Sequence, residues 1–185
     1  MTLTVRDADG PDLPAITDLY AGEVVGGTAT FETTAPTLDE MTRRLTTVQN
    51  HGLPWLVAEV DGRFAGYGYA SPFRPRPAYR YGVEVSVYVE AAARGQGVGR
   101  ALLLALIERI RAKGLRHLIA AVSDSGTSAA SIALHRSLGF RDSGTYRQVG
   151  WKFGRWLDVA LLQLDLDPAG APPASPGLDL DGGSA

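Results

Sequence analysis

The sequence contains no cysteine, only two methionines and no long apolar run. Without cysteine there is no disulfide framework, and any metal site would need other ligands. We expect no metal. The longest apolar stretch, residues 101–107, is much shorter than a membrane span. The first residues do not combine a charged region with a long apolar one, as a secretory signal does. We therefore expect a soluble, cytoplasmic protein that does not associate with membranes.

An excess of charge of one sign is also absent. The 18 Lys and Arg residues nearly balance the 20 Asp and Glu residues, and the formal net charge is -2. Because a nucleic-acid binder usually carries a basic stripe, we expect no nucleic-acid partner. The length of 185 residues fits one domain with its own core. We assign this domain to residues 1–167. Residues 168–185 are rich in Pro, Gly, Ala, Ser and Asp without periodicity, which predicts a disordered tail.

The most informative stretch joins a strand, a glycine loop and a helix without interruption. In V-E-V-S-V-Y-V, residues 83–89, valine alternates with other residues, which is typical of a β-strand. The sequence R-G-Q-G-V-G-R follows at residues 94–100, and residues 98–110 are rich in leucine and alanine, as in a buried helix. Such an arrangement directs the unpaired amides of the first helical turn at an anion.

The spacing of the glycines limits which anion can bind. A nucleotide-hydrolysing P-loop requires Lys followed by Ser or Thr, and neither pair follows these glycines. A dinucleotide fingerprint requires G-x-G-x-x-G, which does not fit Gly95, Gly97 and Gly99. A glycine-rich turn that binds no ligand is the remaining alternative.

Hydrophobic periodicity and turn residues assign the other elements, with Asp12 and a Thr37–Glu40 capping box at two helix starts. The predicted order is β-α-α-β-β-β-α-β-α-β-β. It indicates an α+β fold: a mixed, mostly antiparallel twisted sheet with helices on both faces. Three prolines keep residues 71–80 extended and out of a central strand. The remaining predicted elements are strands 3–6, 55–60, 63–70, 116–122, 140–149 and 156–166, a loop at 123–128, and a helix at 128–138 closed by Gly139.

The sequence R-x-x-G-x-G after a strand, together with the element order, resembles the GNAT superfamily of acetyl-CoA-dependent N-acetyltransferases. More narrowly, the chain resembles the phosphinothricin acetyltransferase family. That resemblance implies acetyl transfer from acetyl-CoA to the α-amine of phosphinothricin or an analogue such as methionine sulfoximine or methionine sulfone. It also implies a homodimer. The blocks that carry the narrower resemblance lie at residues 30–41, 71–80, 83–89, 131–135 and 149–158.

The resemblance implies a role for residues on and after the central strand. Glu84 matches the glutamate usually given the role of general base, although by itself it also fits a solvent-exposed strand position. Backbone groups of Val87, Tyr88 and Val89 would contact the acetyl and pantetheine parts of the cofactor. The pyrophosphate would lie on the amides of the loop, with added charge from Arg94 or Arg100. The loop residues concerned are Gly95, Gln96, Gly97, Val98, Gly99 and Arg100.

Two positions on the following helix are less certain matches. His135 stands where many GNAT members carry a tyrosine that acts as general acid. It could protonate the leaving thiolate, or it could be a structural histidine. Ser128 stands where family members usually have an asparagine that contacts CoA, so that contact is in doubt although serine still fits a helix start. Arg136 replaces an acidic residue that is common after the histidine.

The proline-rich segment is the candidate substrate clamp. Arg74, Arg76, Tyr79 and Arg80 match family positions, and arginine binds carboxylate or phosphinate at two points. The alternative is an ordinary solvated connector. Phe31 would line the side-chain pocket, or else fill the core beneath its loop.

Two other functions fit the same residues. The enzyme could acetylate another amine, although Arg74 and Arg76 would repel a polycationic one. The domain could also bind CoA without catalysis, for which the serine at position 128 is the only indication.

Overall fold

The computed structural model describes residues 1–124 and 128–180. Residues 125–127 of the predicted loop and 181–185 of the predicted tail lie outside the described residues. The order of strands and helices is the predicted one. The elements are β1 (Leu3–Asp7), α1 (Leu13–Gly26), α2 (Leu38–Asn50), β2 (Trp55–Val60), β3 (Arg63–Pro72), β4 (Gly82–Val89), α3 (Val98–Ala112), β5 (His117–Ser123), α4 (Ser128–Ser137), β6 (Arg141–Lys152) and β7 (Arg155–Asp165).

The strands form one sheet in the order β1-β2-β3-β4-β5-β7-β6. All neighbours are antiparallel except β4 and β5, which are parallel. This confirms the predicted α+β fold with a mixed, mostly antiparallel sheet. Among the described residues, no helix combines the length and apolar character that a membrane span requires.

Helices cover both faces of the sheet because β4 has apolar side chains on both. Val83 and Val85 are buried on the face that α3 covers, where Leu106 lies close to Gly68 of β3. Tyr88 points to the other face and meets Tyr20 of α1 edge to face, with ring centroids 5.3 Å apart. The polar positions of β4, Glu84 and Ser86, therefore lie on the same face as Tyr88, which α1 covers.

The last hairpin is longer than the sequence predicted. Residues 150–155 were expected to connect two strands, but β6 and β7 continue through them to a two-residue turn. Phe153 and Gly154, with φ of 51° and 70°, make this turn, as a tight hairpin of the primed type requires. Phenylalanine rarely occupies this position, so the usual Asn-Gly signal is missing from the sequence.

The two predicted helix caps form only in part. The carboxylate of Asp12 does not cap α1. It accepts the Asp9 amide at 2.9 Å and two guanidinium bonds from Arg6 at 2.7 Å each, which ties β1 to the following turn. Thr37 caps α2 through the Glu40 amide at 3.2 Å. The Glu40 carboxylate, however, pairs with Arg44 at 2.9 Å instead of completing the capping box.

The chain after β7 has neither helix nor strand, as its composition suggests, but it does not extend freely into solvent up to residue 180. Leu178 is 4% exposed and belongs to the hydrophobic core. Its amide donates to the Arg80 carbonyl at 2.9 Å. The described part of the predicted disordered tail is therefore attached to the domain by the buried Leu178 and by several hydrogen bonds, although residues 168–174 are exposed.

The buried position of Leu106 predicts a large stability loss on truncation. Leu106 is 0% exposed. We expect Leu106→Ala to lower the free energy of unfolding by about 2–5 kcal/mol, because it removes buried methyl groups and leaves a cavity. Urea denaturation followed by circular dichroism measures this change. The control is Leu38→Ala, since Leu38 is 45% exposed and its loss should cost about 0.5 kcal/mol or less. Equal losses in the two variants would contradict the assigned core.

Candidate active site

A gap opens in the middle of the sheet between β4 and β5. The two strands pair in parallel only over Gly82–Glu84 and His117–Ile119. Both strands continue beyond this point but diverge, and a cavity of about 130 Å³ lies between them. In the described part of the chain, the peptide groups of β4 after Glu84 still pair with β3 and have no partner on β5. Buried peptide groups require partners, so this edge can accept a ligand that carries amide groups.

The glycine loop forms one wall of a second, adjoining cavity of about 400 Å³. Gly95 and Gly97 have φ of 77° and 84°, which favour glycine. Gly97 is the N-cap of α3 and has no side chain to accept the first amides of the helix. Gly99 allows α4 to approach, since a Cβ there would lie 3.2 Å from Leu134. The loop therefore presents uncapped amides and the positive end of a helix dipole to the cavity.

Some side chains of the loop already have ion-pair or hydrogen-bond partners within the protein, and others do not. The Arg94 guanidinium pairs with Glu23 at 3.2 Å and donates to the Val89 carbonyl at 3.4 Å. The Gln96 amide donates back to the Ala92 carbonyl at 2.8 Å. Arg100 is exposed, lines the cavity, and has no ion pair among the described residues. Of the two candidate arginines, Arg94 already forms an ion pair with Glu23, so Arg100 is the one whose charge is available to a ligand. Val98 is 1% exposed and belongs to the core.

Glu84 lies at the point where the two strands part. Its register partners are Ser71 on β3 and Ile119 on β5, so the three side chains share the α1 face of the sheet. Burial raises the pKa of the Glu84 carboxyl above its ordinary value. The half-buried position does not match a fully solvated strand glutamate, and the raised pKa brings the carboxylate closer in basicity to an amine.

His135 lies on the opposite side of the gap and lines both cavities. It is 6% exposed, and its ring meets Phe140 edge to face. Nδ1 lies 2.8 Å from the Ser131 carbonyl oxygen, which can only accept, so Nδ1 carries the proton. Burial lowers the pKa of the imidazole. A neutral imidazole held in this way offers Nε2 as an acceptor, and it would have to be protonated before it could act as an acid.

Ser128 begins α4, directly after the three residues outside the described range. The residues of α4 that line the larger cavity are farther along the helix: Ala130, Ser131, Leu134 and His135. The predicted helix start is therefore present, whereas a contact between Ser128 and a cofactor stays a prediction.

Of the candidate clamp, Tyr79 lies near Glu84, whereas Arg74 and Arg76 are exposed and are not among the residues that line the cavity there. Tyr79 lines an open, largely apolar cavity of about 400 Å³ that also touches Gly82 and Ile119, next to Glu84 on the sheet. The Arg74 guanidinium lies over the Tyr79 ring, 5.8 Å from its centroid. Arg76 is exposed at the start of a short 3-10 turn. Neither Arg74 nor Arg76 has an ion pair with a described carboxylate, so both guanidinium groups are available to a ligand.

Phe31 does not fill the core. It is 40% exposed. Its ring rests on the backbone of Gly150 in β6, where even a Cβ atom would be within 2.2 Å of the ring. The alternative of a core residue is therefore wrong for Phe31.

Sequence reasoning missed the loop that carries Phe31 as a wall of the gap. Ala29 of this loop lines both cavities. Its neighbours are held by buried polar contacts: Thr28 donates to the Asp124 carbonyl at 2.7 Å, and the Lys152 ammonium donates to the Thr30 carbonyl at 2.9 Å. These partners are far apart in sequence, so the only available signal was the position of Lys152 inside a block that resembles the family.

Within residues 1–124 and 128–180, no cluster of three or more His, Cys, Asp or Glu side chains could hold a metal ion. The chemistry available to the described site is that of a carboxylate, an imidazole, guanidinium groups and unpaired backbone amides.

Comparison with known proteins agrees with this arrangement. The family described as the acetyltransferase (GNAT) domain matches residues 5–161. The chain is 51% identical over 164 residues to a phosphinothricin N-acetyltransferase of Alcaligenes faecalis, covering 89% of this chain and 83% of the relative. It is 45% identical over 174 residues to an L-methionine sulfoximine/L-methionine sulfone acetyltransferase of Pseudomonas aeruginosa, covering 94% of this chain and 100% of the relative.

A solved structure shows the same fold. It is a GNAT superfamily phosphinothricin acetyltransferase from Sinorhizobium meliloti in complex with AcCoA. It is 45% identical to this chain, with a TM-score of 0.88 and coverage of 94% of each chain. The family match over most of the domain and the similarity in fold agree with the resemblance seen in the sequence. This chain belongs to the GNAT acetyltransferase family.

Proposed function

We propose that this protein transfers acetyl from acetyl-CoA to the α-amine of phosphinothricin, methionine sulfoximine, methionine sulfone or a related amino acid analogue. The names of relatives at 51% and 45% identity support the substrate class. The solved relative with AcCoA supports the acetyl donor. The observation that carries the proposal is the position of Glu84, a half-buried carboxylate where β4 and β5 part.

In this proposal acetyl-CoA replaces the missing strand partner of β4. The pantetheine amides pair with backbone groups of Val87, Tyr88 and Val89, which places the thioester in the gap. A backbone N–H of this edge donates to the thioester carbonyl oxygen and stabilises the negative charge that develops there. The diphosphate lies on the amides of residues 95–100, with Arg100 as the nearby cation.

The amine approaches from the face that bears Glu84. The Glu84 carboxylate, directly or through water, takes a proton from the ammonium group, and the free amine attacks the thioester carbon. The new C–N bond forms, the C–S bond breaks, and a second proton moves from nitrogen to the leaving sulfur. His135 can deliver that proton only from its imidazolium form, which burial disfavours. We therefore assign Nε2 of His135 the role of a hydrogen-bond acceptor at the gap, and in this proposal the second proton passes from the nitrogen to the sulfur without it.

Arg74 and Arg76 hold the negative groups of the acceptor in this proposal. Each guanidinium can form a two-point contact with a carboxylate or phosphinate, and neither is paired with a described carboxylate. Tyr79 and Phe31 border the space between the clamp and the gap. Since its co-substrate is acetyl-CoA, we also place the protein in the cytoplasm.

We further propose a homodimer, as the resemblance implies. Several large apolar side chains of the β6–β7 hairpin are each about half exposed, and an exposed apolar patch usually marks an interface. The second copy is the proposed partner for this hairpin surface. The residues that form it are Tyr146, Val149, Trp151, Phe153 and Trp156.

Gly97→Ala should weaken acetyl-CoA binding about tenfold. The methyl group would stand at the uncapped start of α3, and the φ of 84° disfavours alanine. Isothermal titration calorimetry measures the dissociation constant. The matched control is Gly62→Ala in the β2–β3 turn, since Gly62 has φ of 74° and, like Gly97, has open space around a Cβ atom. Similar affinity in both variants would contradict a diphosphate site at α3.

Glu84→Gln should reduce kcat for methionine sulfone by about 10²–10⁴-fold, since it removes the general base. Acetyl-CoA affinity should not change. In the wild-type enzyme, activity should fall as pH decreases and Glu84 takes up a proton. Because burial raises the pKa of Glu84, this fall should occur at higher pH than for an ordinary carboxyl. Thiol release with phosphinothricin, methionine sulfone and methionine sulfoximine, measured from acid to neutral pH, tests each point.

The control for Glu84 is Glu108→Gln on the exposed surface of α3, which should retain wild-type kcat. If the wild-type enzyme releases no CoA with any of the three analogues, the proposed substrate class is wrong. If Glu84→Gln retains full turnover, the substrate class stands and Glu84 is not the base.

Trp151→Asp should shift the protein from dimer to monomer, because it places a charge on a surface that we propose is buried between two copies. Trp151 is 57% exposed in one chain, so the variant should still fold. Sedimentation velocity measures the mass. Leu38→Asp, at a similarly exposed leucine on α2, is the control and should remain dimeric. A monomeric wild-type protein would refute the homodimer.

A further inference from the structure

The segment after β7, residues 166–180, crosses one end of the sheet and returns to the start of β4. Arg116, just before β5, donates to the carbonyls of Asp167 and Ala171. Farther along, Ser175 donates to the Gly114 carbonyl at 3.1 Å. The buried Leu178 then inserts into the core. We call this stretch the C-terminal strap. It is held at several separated points although it contains no regular structure.

The far end of the strap lies on the end of the clamp segment. The Leu178 amide donates to the Arg80 carbonyl at 2.9 Å, and the Tyr81 hydroxyl donates to the Ser175 carbonyl at 3.1 Å. Gly177 has φ of 76° and lies so close that a Cβ atom would be 2.8 Å from Arg80 Cγ and 2.9 Å from its carbonyl oxygen. Arg80 and Tyr81 directly follow Tyr79 and lead into β4.

The strap also borders the open cavity beside Glu84. Pro173 lines this cavity together with Tyr79 and Phe73 of the clamp segment and Ile119 of the sheet. Ile119 is the register partner of Glu84 and projects from the same face. The space next to the candidate base is therefore bordered by the sheet, by the clamp segment and by the strap.

We propose that the C-terminal strap is a structural part of the acceptor site: it orders the clamp segment and walls the cavity that receives the side chain of the amino acid. The assignment of the cavity to the amino acid side chain rests on the proposed function. The structural half of the inference, that the strap orders the clamp segment, does not. The clamp segment has ring contacts of its own: Phe73 and Tyr79 meet edge to face, and the Arg74 guanidinium lies over both rings. Its 3-10 turn is held by the Tyr79 amide on the Arg76 carbonyl at 2.9 Å and by the Arg80 amide on the Pro77 carbonyl at 3.1 Å.

Preorganisation explains why such a strap would matter. If Arg74 and Arg76 were mobile, each binding event would have to order them, and affinity for the acceptor would fall by the corresponding free energy. The cofactor cleft lies at the other end of β4 and shares no lining residue with the strap. Loosening the strap should therefore raise KM for the amino acid analogue and leave KM for acetyl-CoA unchanged.

A pair of glycine variants in the full-length chain tests this directly. Gly177→Ala should displace the strap from Arg80 and raise KM for methionine sulfone about three- to tenfold. Gly170→Ala is the matched control, because Gly170 has a similar φ of 68° but nothing within 4 Å of a Cβ atom. It should keep the wild-type KM. Leu178→Asp, which places a charge at a position 4% exposed, should have the larger effect of the two strap variants.

Hydrogen–deuterium exchange supplies a readout that needs no substrate. In Gly177→Ala and Leu178→Asp, the amides of Tyr79 and Arg80 should exchange faster, while those of the β2 and β3 ladder should not. Unchanged exchange at Tyr79 and Arg80 would refute the structural half of the inference. Faster exchange with a wild-type KM for methionine sulfone would refute the link to the acceptor. A wild-type enzyme inactive on every analogue would instead refute the proposed function and leave the exchange result standing.

Discussion

The arrangement depends on one incomplete strand pair. Peptide groups inside a protein cost about 1–3 kcal/mol each when they lack a hydrogen-bond partner, yet β4 runs past Glu84 without pairing with β5. Water can satisfy these groups in the free protein, and a cofactor with its own amides can satisfy them when it binds. The parallel pairing of β4 with β5, inside an otherwise antiparallel sheet, places this break at the centre of the sheet, where helices reach it from both faces.

Contacts from other elements shape the walls of the break. On one side, Gly99 lets α4 approach α3, so Leu134 and His135 stand at the cofactor end. At the outer end, the loop around Ala29 is held by the Lys152 ammonium, which is 5% exposed and donates to the Thr30 carbonyl. These contacts come from α4, β6 and the loop before α2, so tertiary packing contributes the walls of the gap in addition to the strand that borders it.

The sequence was sufficient for elements with strong periodicity and for residues that act through the backbone. The alternating valines predicted β4. The glycines predicted the start of α3, because a positive φ and an uncapped helix start both favour glycine over other residues. The long hairpin was not predictable in the same way, since Phe153 at φ of 51° gives no turn signal. The strap was missed because one buried leucine, Leu178, anchors a segment whose composition is otherwise that of a linker.

The sequence alone says less about the role of His135 than about that of Glu84, and the effect of burial on the charge of each group explains the difference. Burial favours the neutral form of both: it raises the pKa of Glu84 and lowers the pKa of His135. For the carboxyl, this brings its basicity closer to that of the amine while leaving an anion above its pKa. For the imidazole, whose proton on Nδ1 is donated to the Ser131 carbonyl, burial disfavours the acid form. From the sequence, His135 could be a general acid or a structural histidine. The Ser131 carbonyl, one helical turn earlier, keeps the proton on Nδ1 and leaves Nε2 as a hydrogen-bond acceptor.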